Sequence, residues 1–194
     1  MSDYIYHPLT PERWDDLVQF FSKPGAQSHC WCMGWRLRGG DYNKYDDEGR
    51  KAAFRTIVNC GTPTGILMYA GDHVIGWCSV APRETYERLV RSKVLTTIDD
   101  QPSWAVMCFV LDKTVRGQGL AVGLLQAAAN YAFSEGAKIV EGYPVEPGEG
   151  KNGKPKRDPG AYIGTKSMFL KAGFEEVGRT ANDRPILRLT VSHS

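Results

Sequence analysis

The sequence predicts one α/β (α+β) domain, in which a central mixed β-sheet carries helices on both faces. Three observations support this fold class. An apolar strand, a glycine-containing turn, a helix and a second strand follow one another over residues 103–143, and this βαβ unit requires two parallel strands. Two apolar runs separated by Gly71 and Asp72 have the composition of a tight antiparallel hairpin. The remaining strands and helices follow in an order that requires a mixed sheet.

The first third of the chain predicts one strand and two helices. Residues 4–9 form a short strand, and a helix starts at about Pro11 with Thr10 as its start signal. The apolar stripe of that helix consists of Trp14, Leu17, Val18 and Phe21. Residues 28–45 are irregular and dense in aromatic residues and arginines, and a second helix is predicted over 46–60.

The middle of the chain supplies the sheet centre. The two hairpin strands are residues 64–70 and 73–80, and residues 82–92 read as a short helix. Residues 103–111 are almost wholly apolar, as expected of a strand that is buried on both faces. An alanine-rich helix then leads to another buried strand at 137–143.

The last quarter begins with residues 144–160, which are rich in Pro, Gly and Lys and predict a loop. A helix is predicted over 161–174, and Gly173 stands where a left-handed C-terminal cap is wanted. Residues 174–179 and 185–191 then read as a terminal pair of strands.

Composition excludes several classes of protein. The chain has 194 residues, which suits a single domain spanning 1–194, and its net charge of +2 implies neither a nucleic-acid nor a membrane partner. No apolar stretch approaches the roughly 20 residues of a membrane helix, and the N-terminus does not resemble a leader peptide, so we expect a cytoplasmic protein. The five cysteines are expected to be reduced and mostly buried: Cys30, Cys32, Cys60, Cys78 and Cys108.

The turn at residues 116–121 (Arg-Gly-Gln-Gly-Leu-Ala) predicts an anion site. It follows an apolar strand and opens a helix whose first backbone N–H groups have no partner inside the helix. Gly117 and Gly119 let the backbone approach a ligand closely, the helix dipole places roughly half a positive charge there, and Arg116 adds a donor. A pyrophosphate is the natural ligand, although a purely structural turn has the same appearance.

A dinucleotide fingerprint is a competing interpretation of the same turn. Gly117, Gly119 and Gly123 have suitable spacing, and Glu141 ends the next strand where a ribose-binding acid would lie. However, residues 111–115 separate the strand from Arg116, whereas the dinucleotide turn is tight. This disfavours an NAD(P)-binding oxidoreductase.

The sequence resembles the GNAT superfamily of acetyl-CoA-dependent N-acyltransferases. The pyrophosphate loop of that family has Gln or Arg, two residues of any kind, Gly, one residue of any kind, and then Gly or Ala, and Arg116, Gly119 and Ala121 match it in register. The strand at 108–115 and the segment at 170–178 extend the resemblance over most of residues 1–191.

The resemblance implies a fold, a cosubstrate and a set of contacts. It implies a GNAT-like acyl-CoA N-acyltransferase fold that uses acetyl-CoA. The strand ending near Phe109 and Val110 would splay from its neighbour and pair through its main chain with pantetheine. The loop would grip pyrophosphate through these residues: Arg116, Gly117, Gln118, Gly119, Leu120 and Ala121.

The chain departs from the family pattern at the catalytic positions. Many members have a tyrosine four residues before a Gly-Phe pair that protonates the leaving thiolate, and Phe169 stands there in this chain. Tyr162 and Ser167 are nearby substitutes, although Tyr162 is about 10 Å from Phe169 if the helix is continuous. The strand at 103–111 has no carboxylate to act as general base, so Glu141 on the next strand is the alternative candidate. The competing interpretation of Glu141 is a salt-bridged carboxylate at a sheet edge.

The segment around Cys30 and Cys32 invites a metal interpretation that its spacing does not favour. One residue between two thiols is unusual for zinc, and no second ligand pair follows, so no metal is expected. Aromatic residues and small thiols packed under a loop are the ordinary alternative. In the family this segment borders the acceptor pocket, which implies four candidate acceptor-binding residues: Trp31, Trp35, Arg36 and Trp77.

Together these features predict an acetyl-CoA-dependent N-acetyltransferase that acts on a primary amine of a small molecule or peptide by direct attack. A non-catalytic acyl-CoA-binding module is the alternative, because the family's tyrosine and strand carboxylate are missing. The sequence allows a homodimer through exposed strand edges, and it identifies neither the acceptor nor the acyl chain length.

Overall fold

The computed structural model describes residues 4–23, 29–146 and 161–191. Most of the loop predicted over 144–160, with its lysine-rich part, lies outside the described residues. Within them, seven strands form one sheet in the order β1-β2-β3-β4-β5-β7-β6. The strands are β1 (Tyr4–Pro8), β2 (Ile66–Ala70), β3 (His73–Pro82), β4 (Trp104–Leu111), β5 (Ile139–Gly142), β6 (Glu175–Arg179) and β7 (Pro185–Thr190).

Six α-helices occur among the described residues, with helical turns between some of them. They are α1 (Trp14–Phe21), α2 (Gly39–Tyr42), α3 (Asp47–Asn59), α4 (Glu87–Val90), α5 (Leu120–Ser134) and α6 (Lys166–Lys171). The longest, α5, forms because apolar and alanine residues recur along one face, and its last turn ends at Gly136, whose φ is +90°. Leu124 and Leu125 of α5 are fully buried, and each such leucine stabilises the fold by about 1.5–3 kcal/mol.

Helices cover both faces of the mixed sheet, as the sequence predicts. On one face α5 and α6 pack over a core that includes Val106, Val140 and Phe169. On the other, α1, α3 and residues 31–33 pack over a core that includes Leu67 and Trp77. The fold class is therefore confirmed.

The parallel contact between β4 and β5 is short, and this determines where the sheet opens. Only Trp104, Ala105 and Val106 of β4 have partners on β5, although β4 continues to Leu111. The other strand pairs of the described sheet are antiparallel. The second half of β4 therefore runs on without β5 beside it, and the two strands diverge from Val106 onward.

The chain after β5 pairs instead with the segment before α6. Val145 and Thr165 form an isolated parallel bridge, and the helical turn Ala161–Ile163 lies against β4. Phe169 packs directly under Gly142, where any side chain at residue 142 would overlap its ring. This close approach requires glycine at the last position of β5.

One predicted helix is two elements. Residues 161–174 are predicted as continuous, but the turn Ala161–Ile163 ends before Gly164, whose φ is +93°, and α6 begins only after Thr165. The Thr165 side chain accepts a hydrogen bond from the Met168 N–H, which is a new N-terminal cap. Gly173 closes α6 with a φ of +93°, as the sequence predicts.

Candidate functional site

The glycine turn before α5 forms an open cradle. Gly117 and Gly119 have φ values of +79° and +78°, in the left-handed region that only glycine enters readily. A Cβ added at either residue would meet no heavy atom within 4 Å. No side chain caps α5, so its first N–H groups face this open space without an intrahelical partner.

The electrostatics of the turn favour an anion. The first turn of α5 contains no acidic residue, and a 15-residue helix directs the positive end of its dipole here. Arg116 is exposed and is steadied by a hydrogen bond from its Nε to the Leu111 carbonyl at 3.0 Å. Hydrogen bonds from Thr114, with the ammonium group of Lys23, lower the pKa of Asp112 to about 2, and this carboxylate fixes the preceding turn.

The strand that leads to this turn presents Phe109 and Val110 beyond the last β5 partner. Their side chains point to opposite faces of the sheet: Phe109 packs towards Phe169, with ring centroids 6.3 Å apart, and Val110 belongs to the core under α1 and α3. Because β5 has diverged, no β5 residue pairs with either of them. The edge of β4 left by this divergence is suited to main-chain pairing with an extended ligand.

A cavity of about 290 Å³ lies against Met107 and Cys108 of β4, which we call the aromatic chamber. It is lined by Cys30, Cys32, Gly34, Trp35, Tyr42, Ser79, Tyr86, Arg88, Met107, Cys108 and Tyr162. Four of these side chains are aromatic, and Arg88 is the only one with a fixed charge. Its position beside the opened edge of β4 makes it a candidate acceptor pocket.

Tyr162 is part of this chamber because the helix predicted around it is broken. It lies in the turn Ala161–Ile163 beside β4 and not on α6, so the distance along one continuous helix does not apply. Burial raises the pKa of Tyr162, and the indole of Trp35 hydrogen-bonds to its hydroxyl. The hydroxyl is therefore protonated at neutral pH and available as a donor.

The cysteine segment forms one wall of the chamber in an unusual backbone conformation. Trp31 and Cys32 have φ values of +45° and +54°, which side-chain-bearing residues adopt only at a cost. The Trp77 indole donates to the Cys32 sulfur at 3.0 Å. A hydrogen bond from the Cys108 thiol, more than the Trp77 bond, lowers the pKa of Cys32 and raises that of Cys108 well above its usual value.

All five cysteines are free thiols, and their burial varies: Cys32 and Cys78 are buried, and Cys60 is exposed. Among the described residues, no three His, Cys, Asp or Glu side chains are grouped so as to hold a metal ion. None of the described helices is both long enough and apolar enough to cross a lipid bilayer.

The structure brings only one of the four predicted acceptor-binding residues to the chamber surface. Trp35 lines it, whereas Trp31 and Trp77 pack in the core with α1, where Trp77 has no exposed surface. Arg36 is also buried, with its guanidinium 4.5 Å from the Tyr86 ring centroid and bonded to Thr85. It therefore supports the chamber wall from behind.

Two of the three predicted catalytic residues lie away from the chamber. Glu141 is completely buried and accepts hydrogen bonds from Arg188 Nε, at 2.7 Å, and from the Tyr143 hydroxyl. These contacts agree with its interpretation as a salt-bridged residue of the sheet. Ser167 is exposed in the first turn of α6, with its hydroxyl 3.2 Å from that of Thr165.

Sequence reasoning missed several chamber residues: Tyr42, Ser79, Tyr86, Arg88, Met107 and Cys108. Ser79 and Cys108 face each other just before the register of β3 and β4 shifts, so a bulge helps aim these side chains into the cavity. No periodic pattern indicates such a bulge. The sequence indicates a role for Arg88 only weakly, as a charged residue in a predicted short helix.

Comparisons with known proteins agree with this geometry. Residues 14–147 match the model of the acetyltransferase (GNAT) family. No curated protein sequence matches the chain closely.

Several solved structures share the fold at low sequence identity. The aminoglycoside acetyltransferase AAC(6')-Ib, solved with coenzyme A and kanamycin, is 12% identical, with a TM-score of 0.58 over 97% of this chain and 95% of that one. A ribosomal-protein-S5-alanine acetyltransferase from Vibrio fischeri is 11% identical, with a TM-score of 0.56 over 98% and 94%. An uncharacterized protein from Bacillus halodurans is 14% identical, with a TM-score of 0.54 over 96% and 83%.

Proposed function

Because the chain belongs to the GNAT family of acetyltransferases, we propose that it transfers an acetyl group from acetyl-CoA to a primary amine by direct attack of the amine on the thioester. The whole chain, residues 1–194, acts as one catalytic domain. The acceptor is a small molecule or a peptide. Solved relatives of this fold include enzymes named for aminoglycosides and for the alanine of a ribosomal protein, which supports an amine acceptor.

The open glycine turn is the observation that carries this proposal. Its two left-handed glycines, its uncapped helix start and Arg116 fit a pyrophosphate, because the space that side chains would fill is empty there. Phe109 and Val110, on the free edge of β4, are suited to pair through their main chain with the pantetheine arm. The thioester would then lie near Cys108, at the mouth of the aromatic chamber.

The reaction mainly requires the protein to position the amine and the thioester. The attacking amine must be neutral, and the leaving thiolate is less basic than the amine, so holding the two reactants together supplies most of the rate. Tyr162 is our candidate for the group that protonates the thiolate, since its hydroxyl is neutral and lines the chamber beside Cys108. Glu141 and Ser167 have no comparable access to the chamber.

A pair of glycine variants tests the pyrophosphate assignment. Gly119→Leu should obstruct the cradle, while Gly61→Leu is a matched control, because Gly61 also has a left-handed φ of +72° and open space around it but ends α3. Both variants bear similar backbone strain of about 1–2 kcal/mol. We expect calorimetry to show at least about a tenfold weaker affinity for acetyl-CoA in Gly119→Leu alone. Equal affinities in the two folded variants would contradict the assignment.

Two further measurements distinguish acetyl transfer from simple acyl-CoA binding and from NAD(P) binding. Release of free CoA thiol in the presence of amines distinguishes an enzyme from a module that only binds acyl-CoA. A thermal-shift comparison of acetyl-CoA with NAD(P) tests the dinucleotide interpretation, because a ligand stabilises the folded state that binds it. Stabilisation by NAD(P) and not by acetyl-CoA would overturn the proposal.

A further inference from the structure

A second cavity opens beside the aromatic chamber and shares Trp35 and Arg88 with it. Its volume is about 430 Å³, and we call it the arginine groove because Arg38, Arg88, Arg91 and Arg184 all line it. The two cavities are therefore neighbours on either side of these two side chains.

The arginines of the groove greatly outnumber their acidic partners. Arg38 and Arg91 share one carboxylate, that of Glu87, at 2.6 Å and 3.3 Å. Arg88 and Arg184 form no ion pair with any described residue; they donate instead to the backbone carbonyls of residues 34 and 144 at 3.2 Å and 3.3 Å. Each guanidinium has five N–H donors, so most of these donors have no partner in the part of the chain that the structure describes.

Among the described residues, no acidic side chain lines the chamber. A polycationic acceptor would therefore meet no counter-ion from this part of the chain and would lie next to four guanidinium groups, which disfavours it electrostatically. The aromatic and sulfur-containing walls instead suit an apolar body, and a cavity of this size suits a small one. Arg88 stacks on the Trp35 ring at 5.3 Å, so its planar group stands where the two cavities meet.

We propose that the acceptor is a small carboxylate-bearing amine with an apolar body, as in an apolar or aromatic amino acid. The body and the amine lie in the aromatic chamber, and the carboxylate lies in the arginine groove against Arg88 and Arg184. Guanidinium groups recognise carboxylates through paired, charge-assisted hydrogen bonds, which supports this orientation. The inference rests on the proposed acetyl transfer and assigns its substrate class.

The first arm of the test measures acetyl transfer to matched acceptors. Each of the common L-amino acids is compared with its own amide, which keeps the amine but loses the negative charge, and with phosphoethanolamine and kanamycin. We expect an apolar or aromatic amino acid to have a kcat/KM at least about tenfold above that of its amide and of kanamycin. Equal or better rates with amides, phosphoethanolamine or kanamycin, or no transfer to any amino acid, would overturn the proposal.

The second arm removes the recognising charges. Arg88→Gln and Arg184→Gln should each raise KM for the best amino acid by about tenfold, and by much less for its amide. Arg55→Gln is the matched control, since Arg55 is also exposed and stacked on a tryptophan, 5.8 Å from the Trp14 ring, but lines neither cavity. An unchanged KM, or an equal increase for acid and amide, would refute carboxylate recognition.

Calorimetry with acetyl-CoA separates this inference from the proposed function. Wild type and the arginine variants should bind acetyl-CoA equally, because the cradle before α5 is intact in all of them. Transfer only to kanamycin or to amides would support the acetyltransferase activity and contradict the carboxylate-bearing substrate class. Failure of wild type to bind acetyl-CoA would instead remove the proposed function, and weaker acetyl-CoA binding by Arg88→Gln would reassign the groove to the cosubstrate.

Discussion

Glu141 offers the sharpest distinction between a structural and a catalytic residue. Its side chain is fully buried in β5, receives Arg188 Nε at 2.7 Å and the Tyr143 hydroxyl, and has Arg83 Nε at 3.9 Å. Arg188 in turn binds both oxygens of Asp99, at 2.6 Å and 3.0 Å. The variant Glu141→Gln keeps the shape of the side chain and removes only its charge. We expect it to lower stability without removing activity.

The size of the loss follows from the geometry. Breaking a buried ion pair by removing one charge costs about 3–5 kcal/mol, because the remaining charge stays buried without its partner. Arg188 keeps Asp99, which is only 32% exposed, so the lower end of this range, about 3 kcal/mol, applies. For a domain of this size, that corresponds to a fall in melting temperature of roughly 6–12 °C. Asp99→Asn should cost less, because water already screens part of its charge.

Urea unfolding followed by tryptophan fluorescence measures this loss, and acetyl transfer is assayed well below the unfolding transition. The slope of the unfolding free energy against urea should stay unchanged, which shows that the variant alters stability and not compactness. Asp41→Asn is the control, because it removes an exposed carboxylate whose ion pair within the described residues is with Lys44, at 2.6 Å on the surface. This control should unfold close to wild type.

The opposite pair of results would make Glu141 a catalytic residue. In that case the free energy of unfolding of Glu141→Gln would stay within about 1 kcal/mol of the wild-type value. Its kcat would fall by about a hundredfold, and the pH–rate profile would lose its acidic limb. Glu141 would then be the general base. The buried network would then be a means of holding that base. A loss of stability with normal turnover in the folded fraction supports the structural role.

Two further predictions concern a catalytic proton and an acid-sensitive ion pair. Tyr162→Phe should lower kcat by about a hundredfold with acetyl-CoA affinity unchanged, whereas Ser167→Ala should leave both as in wild type; equal activities would remove Tyr162 as the acid. Hydrogen bonds from Arg179 and Lys166 lower the pKa of Glu146 to about 2. The ionised Glu146 therefore stabilises the fold above its pKa in the unfolded chain, about 4.3, and this stabilisation is lost as the pH falls towards 2. Glu146→Gln should flatten the measured dependence of unfolding free energy on pH in that window, and an unaltered curve would contradict the pairing.

The features that the sequence predicts well are those encoded within short segments. The hairpin around Gly71 and the glycines before α5 depend on residues a few positions apart, and so does the cap at Gly173. The break in the last predicted helix was also encoded locally, because Gly164 and Thr165 are a helix stop followed by a helix start. The apolar pattern on either side masked this signal.

The aromatic chamber is harder to predict because the chain assembles it from distant segments. Trp35, Tyr86, Cys108 and Tyr162 come from four separate parts of the sequence, and a register shift between β3 and β4 aligns one of them. The burial of Glu141 follows a similar rule, since its partner Arg188 is 47 residues away on β7. No local periodicity reports such pairings, so side chains in the core and in the pocket look alike in sequence.

The arrangement of positive charge also bears on the lack of a carboxylate on β4. An amine attacks only when it is neutral, and nearby cations lower the pKa of an ammonium group because they disfavour its charged form. On the proposed binding mode, Arg88 lies at the chamber wall, and no carboxylate of the described residues lines the chamber to stabilise the ammonium. Burial among Trp35 and Tyr86 acts in the same direction, since desolvation also favours the neutral amine. The surroundings that select an anionic acceptor therefore help to deprotonate its amine, and this reduces the need for a carboxylate on β4.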